Sequence, residues 1–316
     1  MAVHAEVDAQ RAKLTMRQRL QPAYSTLLDA LAASALPFEE GLQKERELFL
    51  GLMPTTAARA LRYQFKAERD ASKLPEKWQA PPRPVRTVAV VGAGTMGAGI
   101  AIAALDVGLS VLLLEQDGAA LERGRERVTG HYQGRVAAGK MAAEKAADNL
   151  ARLTPTVEWR QLQGADLVIE AVFEDPAVKQ AVFRQIGAHA RPGAVLATNT
   201  SYLDVDAIAA ATSRPQDVVG MHFFSPANVM KLLEVVRGSL TEANVVATGM
   251  ALGSVLKKMP VLTGNAFGFI GNRIYNACCS GCLSRWCSLR APNRGWRKRT
   301  SRTSSITVSA RAQRCC

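Results

Sequence analysis

The stretch VAVVGAGTMGAGI, residues 88–100, constrains the fold more than any other part of the chain. Gly92, Gly94 and Gly97 stand in G-x-G-x-x-G spacing between a β-rich run, Thr87 to Val91, and a segment of helical character, Thr95 to Val107. A second strand-like run, Ser110 to Glu115, follows. In such a unit the first glycine permits a tight turn, the second admits close approach of a ligand to the backbone, and the third lets the helix pack on the strand. The helix N-terminus, with Thr95 and Met96 in its first turn, presents free N–H groups and partial positive charge to an anion such as a pyrophosphate. Glu115 lies 23 residues beyond Gly92, about where an acid bonds the adenosine ribose hydroxyls. A carboxylate there repels a 2′-phosphate, so the expected cofactor is NAD rather than NADP. The bland alternative, a packing turn with a surface glutamate, explains the glycines but not the strand, helix and acid around them.

The alternation continues along the chain. Ala119 to Asn149 reads as a long charged helical region, DLVIEAVFE as a strand, PAVKQAVFRQIGAHA as a helix and AVLATNTS as a strand. This predicts an α/β, doubly wound parallel sheet of the Rossmann type. Ahead of it, Pro37 to Lys73 predicts two helices broken near Pro54, with Leu42, Leu48, Phe49, Leu52, Leu61 and Phe65 on one apolar face. PEKWQAPPRP, with four prolines in ten residues, predicts a semi-rigid linker. The expected organisation is an N-terminal helical segment and linker over 1–84, an NAD-binding domain over 85–265, and the start of a truncated or aberrant helical domain over 266–316.

A net charge of +13 suggests a nucleic-acid partner until its distribution is examined. Nine of those charges fall in the last 39 residues, which hold no acid, leaving +4 for the rest. All six cysteines share that tail, in spacings that match no zinc pattern. No apolar run reaches the roughly 18 residues of a membrane span, and the N-terminus lacks the apolar core of a signal peptide. The expectation is a soluble cytoplasmic protein that binds neither nucleic acid nor membrane and holds no metal.

Three polar residues stand near later strand ends: Ser201 in ATNTS, His222 in VVGMHFFSP and Glu234 in MKLLEVV. Asn199 to Ser201 follow a strand, where they could reach the nicotinamide end of a dinucleotide. His222 and Glu234 are equidistant from Asn228. A hairpin around SPANVM would make them cross-strand partners, fixing one imidazole tautomer and strengthening it as a base. Taken singly, a core histidine and a solvated strand glutamate are the ordinary readings, but a carboxylate inside LLEVV is costly to bury without a partner. A Ser-His-acid hydrolase is the competing chemistry; Ser201 is not in a GxSxG elbow, and the nucleotide turn would then have no purpose.

In this order, GAGTMGAGIA, DLVIEAVFED, ATNTSYL, GMHFFSPANVMKLLEVV and GFIGNR resemble the L-3-hydroxyacyl-CoA dehydrogenase family, particularly its form inside multifunctional fatty-acid β-oxidation enzymes. PFEEGLQKERELFL and AERDASKLP resemble the helical linker that follows the hydratase domain in those enzymes. The resemblance implies NAD-dependent oxidation of a 3-hydroxyacyl-CoA thioester. It makes His222 the base, Glu234 its orienting partner, and Ser201 and Asn272 polar contacts to the substrate oxygen. Glu174, Lys179 and Asn199 match positions near the cofactor. Arg135 and Lys140 are candidates for the CoA phosphates, with a solvated helix face as the alternative. The family also implies a homodimer built through a C-terminal helical domain. Beyond residue 277 an Arg-, Ser- and Cys-biased sequence replaces that domain, as a frameshift near Cys278 would produce, and a hydratase domain is expected to be absent. An NAD-binding remnant without turnover is therefore the alternative function, and acyl chain length is not legible.

Overall fold

A computed structural model describes residues 2–278. Residues from 279 onward, which carry the basic tail, five of the six cysteines and the sequence attributed to a frameshift, lie outside the described residues. The chain divides into two units, Met1–Ile270 and Gly271–Cys316. The described part of the second, residues 271–278, is helical.

Five helices open the first unit: α1 (Ala2–Lys13), α2 (Met16–Arg19), α3 (Pro22–Ala33), α4 (Phe38–Leu52) and α5 (Thr56–Ala71). The break between α4 and α5 falls around Pro54, and Thr55 caps α5 by accepting the Ala58 N–H. The expected apolar face differs from expectation in one respect: it is not covered within the described residues. Neither helix buries a residue, and Leu42, Phe49, Leu61 and Phe65 are all more than half exposed.

The linker that follows is bolted down. Arg83 donates to Asp217 Oδ1 at 2.7 Å, Gly193 O at 3.1 Å and Asn244 Oδ1 at 3.0 Å, and its own N–H bonds Thr248 Oγ1 at 2.8 Å. Arg237 stacks over Trp78 at 5.3 Å.

Eight strands form one sheet: β1 (Thr87–Val91), β2 (Ser110–Leu114), β3 (Leu153–Thr156), β4 (Leu167–Glu170), β5 (Val195–Thr198), β6 (Val218–Phe223), β7 (Leu232–Arg237) and β8 (Met259–Gly264). Their order is β3-β2-β1-β4-β5-β6-β7-β8. The first six are mutually parallel, β7 pairs antiparallel with β6, and β8 runs parallel with β7. The sheet therefore reverses its winding between β1 and β4, where a doubly wound sheet opens its ligand crevice.

Helices cover both faces. α6 (Thr95–Asp106), α7 (Gly118–Ala137), α8 (Ala143–Ala151) and α11 (Ala243–Val255) join Val88 and Val90 in one core; α9 (Pro176–His189) and α10 (Val205–Ala209) join Ala89 and Val91 in the other. Successive β1 residues thus serve opposite faces, as the two-residue strand period requires. α6 is buried all round from Gly97 to Leu105, so its apolar run has no polar face. The region read as one long helix is two, interrupted at Gly139, whose φ of +65° ends α7.

Candidate active site

The glycine turn crosses from β1 to α6 at the crevice. Gly92 has φ +102°, and a Cβ there would lie 2.8 Å from the Ala171 carbonyl oxygen. A Cβ on Gly97 would come within 1.8 Å of the Gly92 carbonyl oxygen. Gly94 caps α6 with extended backbone and is open: nothing lies within 4 Å of its virtual Cβ. Thr95 and Met96 begin the helix beyond it, and the first hydrogen bond back to the cap is made by Ala98 N–H to Gly94 O. The earlier N–H groups have no intrahelical acceptor and are available to an anion.

Glu115 stands one residue beyond β2. Its Oε2 accepts the Ala93 N–H at 2.9 Å and its Oε1 the Gln116 N–H at 2.9 Å. The carboxylate is therefore held in register with the glycine turn while keeping further lone pairs for hydroxyl donors. A cavity of about 300 Å³ runs between Gly92, Gly94, Glu115, Gln116 and the Val172–Phe173 edge. Open backbone at Gly94, a helix N-terminus and a fixed acid fit the pyrophosphate and adenosine ribose of NAD.

The second half of the crevice lies at the ends of β5 and β6. His222 and Glu234 are register partners on β6 and β7, with Nδ1 2.6 Å from Oε2 and both side chains buried. This is the hairpin that the symmetry about Asn228 predicts. The other carboxylate oxygen accepts the Ile270 N–H at 3.0 Å. Phe224 and Phe269 flank the imidazole at centroid distances of 4.4 and 5.7 Å. With the carboxylate on Nδ1, the imidazole donates its proton there and keeps Nε2 as the acceptor.

Ser201 lies in the turn after β5, beyond the last parallel pair with β6, Thr198↔Gly220. The Asn199 side chain ties the two strand ends together, accepting the Phe223 N–H at 3.0 Å. Glu174 reaches the same turn: its Oε1 accepts from Thr200 Oγ1 at 2.6 Å and from the Ser201 N–H at 2.7 Å.

Lys179, expected near the cofactor, is wholly buried. Its ammonium donates to Glu170 Oε1 at 2.6 Å and to the Asn199 carbonyl at 3.1 Å, and lies 3.5 Å from Glu174 Oε2. Glu170, at the end of β4, is the residue that sequence reasoning missed. Burial pushes its carboxyl above the usual range, opposed by Lys179 and by the Thr198 hydroxyl at 2.7 Å.

Asn272 belongs to the helix that opens the second unit. Arg135 and Lys140 are not brought to this crevice. Arg135 pairs with Asp106 at 3.4 Å, at the end of α6 remote from the glycine turn by the helix length, about 18 Å. Lys140 is exposed beyond α7.

A Rossmann sheet with an open glycine turn, a fixed acid and a buried His-Glu pair at its carboxyl edge defines a dinucleotide-linked dehydrogenase domain. Residues 87–266 match the family described as 3-hydroxyacyl-CoA dehydrogenase, NAD binding domain. The chain belongs to this family, and its cofactor is NAD. It is 43% identical over 256 residues to a peroxisomal bifunctional enzyme of Danio rerio, covering 78% of this chain and 34% of that protein. The chain thus spans about a third of the length of that relative. Among solved structures it resembles the (S)-3-hydroxybutyryl-CoA dehydrogenase of Ralstonia eutropha, with TM-score 0.64 and 35% identity over 66% of this chain and 74% of the other. A 3-hydroxybutyryl-CoA dehydrogenase of Escherichia coli gives TM-score 0.63 and 42% identity over 66% of this chain and 44% of the other.

Proposed function

We propose that this chain oxidises (S)-3-hydroxyacyl-CoA thioesters to 3-oxoacyl-CoA with NAD, as a step of fatty-acid β-oxidation. The observation that carries the reading is the 2.6 Å contact between buried His222 and Glu234, at the carboxyl edge of a sheet whose glycine turn accepts NAD. Bound NAD supplies the hydride acceptor, its nicotinamide. His222 Nε2 takes the proton of the substrate 3-hydroxyl as the carbonyl forms. Glu234 holds Nδ1–H and stabilises the imidazolium that results. Ser201 and Asn272 are assigned to hydrogen bonds with the same substrate oxygen. Gly92, Gly94, Thr95, Met96, Gly97 and Glu115 are assigned to NAD, as are Glu174, Lys179 and Asn199 at its nicotinamide end.

The division of labour follows. Residues 85–265 bind the cofactor, 1–84 lead into them, and a further domain starts at 266. An acyl-CoA is the substrate partner. Among the described residues no helix is long and apolar enough to cross a membrane. The Danio rerio relative is named as peroxisomal, so an organelle of that kind stands beside the cytoplasm as the compartment proposed for this chain.

Oxidation of NADH by acetoacetyl-CoA tests the reading: turnover that disappears in His222→Gln supports it. Binding of NADH with no turnover establishes the second reading, an NAD-binding remnant.

A further inference from the structure

We propose that Arg127, on α7, positions the glycine turn for the pyrophosphate by holding the peptide that joins Ala93 to Gly94. The proposal rests on the assignment of Gly94 to NAD for its consequence, and on geometry for the hold itself.

Arg127 Nη1 donates to the Ala93 carbonyl oxygen at 3.2 Å. α7 comes this close because Gly124 leaves it room: a Cβ there would lie 2.4 Å from Ala93 Cβ and 2.7 Å from the same carbonyl oxygen. Ala93 is 1% exposed, so its carbonyl needs a donor from the protein, and Arg127 supplies one. Glu115 accepts the Ala93 N–H at 2.9 Å, but that bond fixes the peptide between Gly92 and Ala93, one link earlier. Two side chains from different elements, Glu115 beyond β2 and Arg127 on α7, therefore hold two successive peptides of the turn.

A trans peptide points its C=O and N–H in opposite directions. With the Ala93 oxygen turned back toward α7, the Gly94 N–H is aimed away from it, and Gly94 lines the crevice beside Glu115. Among the described residues no acceptor takes this N–H. Gly94 does not enforce the direction by itself. Its φ is −67°, and a flip of the 93–94 peptide moves that angle into the positive region, which glycine accepts about as readily. The flip would present a carbonyl oxygen to the pyrophosphate in place of an N–H, turning attraction into repulsion. Arg127 opposes it, because a flip breaks the bond to the guanidinium and sets an N–H against a cation. It acts through the backbone, from behind the turn, and is a positioning residue.

The first readout needs no ligand. In the full chain isotopically labelled at glycine, the Gly94 amide signal, assigned by its loss in Gly94→Ala, should be shifted and exchange-broadened in Arg127→Met. The Gly92 amide, bonded to Leu114 O at 2.8 Å, is the internal control. Arg127→Lys, which keeps a donor, should restore the parent signal. An unchanged Gly94 signal in Arg127→Met overturns the proposal.

The second readout separates positioning from charge. In Arg127→Met the Kd for NADH should rise about tenfold, with the Kd for adenosine, which lacks the pyrophosphate, held within about twofold. The loss should persist from about 0.05 to about 0.5 M salt, a range over which through-space attraction by the guanidinium is screened. Equal loss for adenosine, a loss that vanishes in salt, or no loss overturns positioning. Failure of the unaltered chain to bind NADH defeats the assignment of Gly94 to NAD, while the glycine amide signal still decides whether Arg127 holds the turn.

Discussion

His222 and Glu234 face each other across the β6–β7 pair, Nδ1 to Oε2 at 2.6 Å, with the second carboxylate oxygen fixed by the Ile270 N–H. The imidazole cannot turn without stranding a buried carboxylate, so Nε2 is the atom it offers to a substrate. Glu234→Gln keeps a hydrogen-bonding group in place but removes the charge that stabilises the protonated ring. Steady-state kinetics with acetoacetyl-CoA and NADH should show kcat lower by about 10²- to 10⁴-fold, with NADH affinity unchanged. Retention of full kcat in this variant would remove the pair from the chemistry.

Glu115 is braced against the glycine turn by the Ala93 N–H at 2.9 Å, so its carboxylate and the pyrophosphate site are placed as a unit. Replacing it with Ala removes both the hydroxyl acceptor and the repulsion of a 2′-phosphate. NADH binding, followed by fluorescence titration, should weaken about tenfold, which corresponds to roughly 1.4 kcal/mol. The preference for NADH over NADPH should shrink as well. A ratio that does not move would take Glu115 away from the ribose.

The interior of the sheet was legible because its signals are local: apolar runs of strand length and a glycine turn. The His222–Glu234 register was legible from symmetry about Asn228 alone. β3 and β8, absent from the sequence reading, are the two sheet edges, and each contains a proline, Pro155 or Pro260. Proline suits an edge, where a missing N–H is harmless, and disguises a strand for the same reason. Lys179 reads as a solvated residue near a helix start; its burial depends on a partner nine residues earlier in another element. That partner left the same trace as Glu234, a carboxylate inside an apolar run, and Glu170 in LVIEAVF could have been found by applying the argument twice.

Arg83 converts the proline-rich segment into part of the fold by bonding Asp217, Gly193 and Asn244 with one guanidinium. Its side chain is 19% exposed and that of Asp217 10%, so Arg83→Ala leaves Asp217 poorly hydrated with Arg214, 3.6 Å away, as its remaining cation. Unfolding stability should fall by roughly 2–3 kcal/mol. Lys at this position should not restore it, because a single ammonium cannot reproduce the fork. Denaturant melts give the loss, and proteolysis between residues 72 and 84 should accelerate. Equal stability of Arg83→Ala and the parent chain would show that the linker is not anchored there.

Asp166 sets an acid limit on the fold. Burial alone would raise its carboxyl, but N–H bonds from Arg86 and Thr87 and the Arg191 guanidinium at 2.6 Å outweigh it, and the group sits below its usual value. Asp204 is lowered too, first by the Asn265 amide. A depressed carboxylate contributes stability that is present above its unfolded pKa, about 3.9, and is lost as pH falls through the folded pKa. Urea midpoints should therefore fall as pH drops below about 4, and less steeply in Asp166→Asn, which is already weakened at neutral pH. Parallel slopes in the two proteins would exclude Asp166 as a contributor.

One methyl group, added at two glycines, should act in opposite directions. At Gly97 it would sit 1.8 Å from the Gly92 carbonyl oxygen and 2.9 Å from its carbon, so α6 must retreat from the turn that it closes. At Gly130, an exposed interior position of α7, nothing lies within 4 Å of the added carbon. There Ala replaces a flexible residue with the best helix former. Gly130→Ala should stabilise the fold by roughly 0.5–1 kcal/mol with NADH affinity intact. Gly97→Ala should lower Tm and abolish NADH binding, because displacing α6 separates the helix N-terminus from Glu115. Thermal unfolding and NADH titration on both variants measure the contrast. Full NADH affinity in Gly97→Ala would mean that close packing of α6 on β1 is not what shapes the cofactor site.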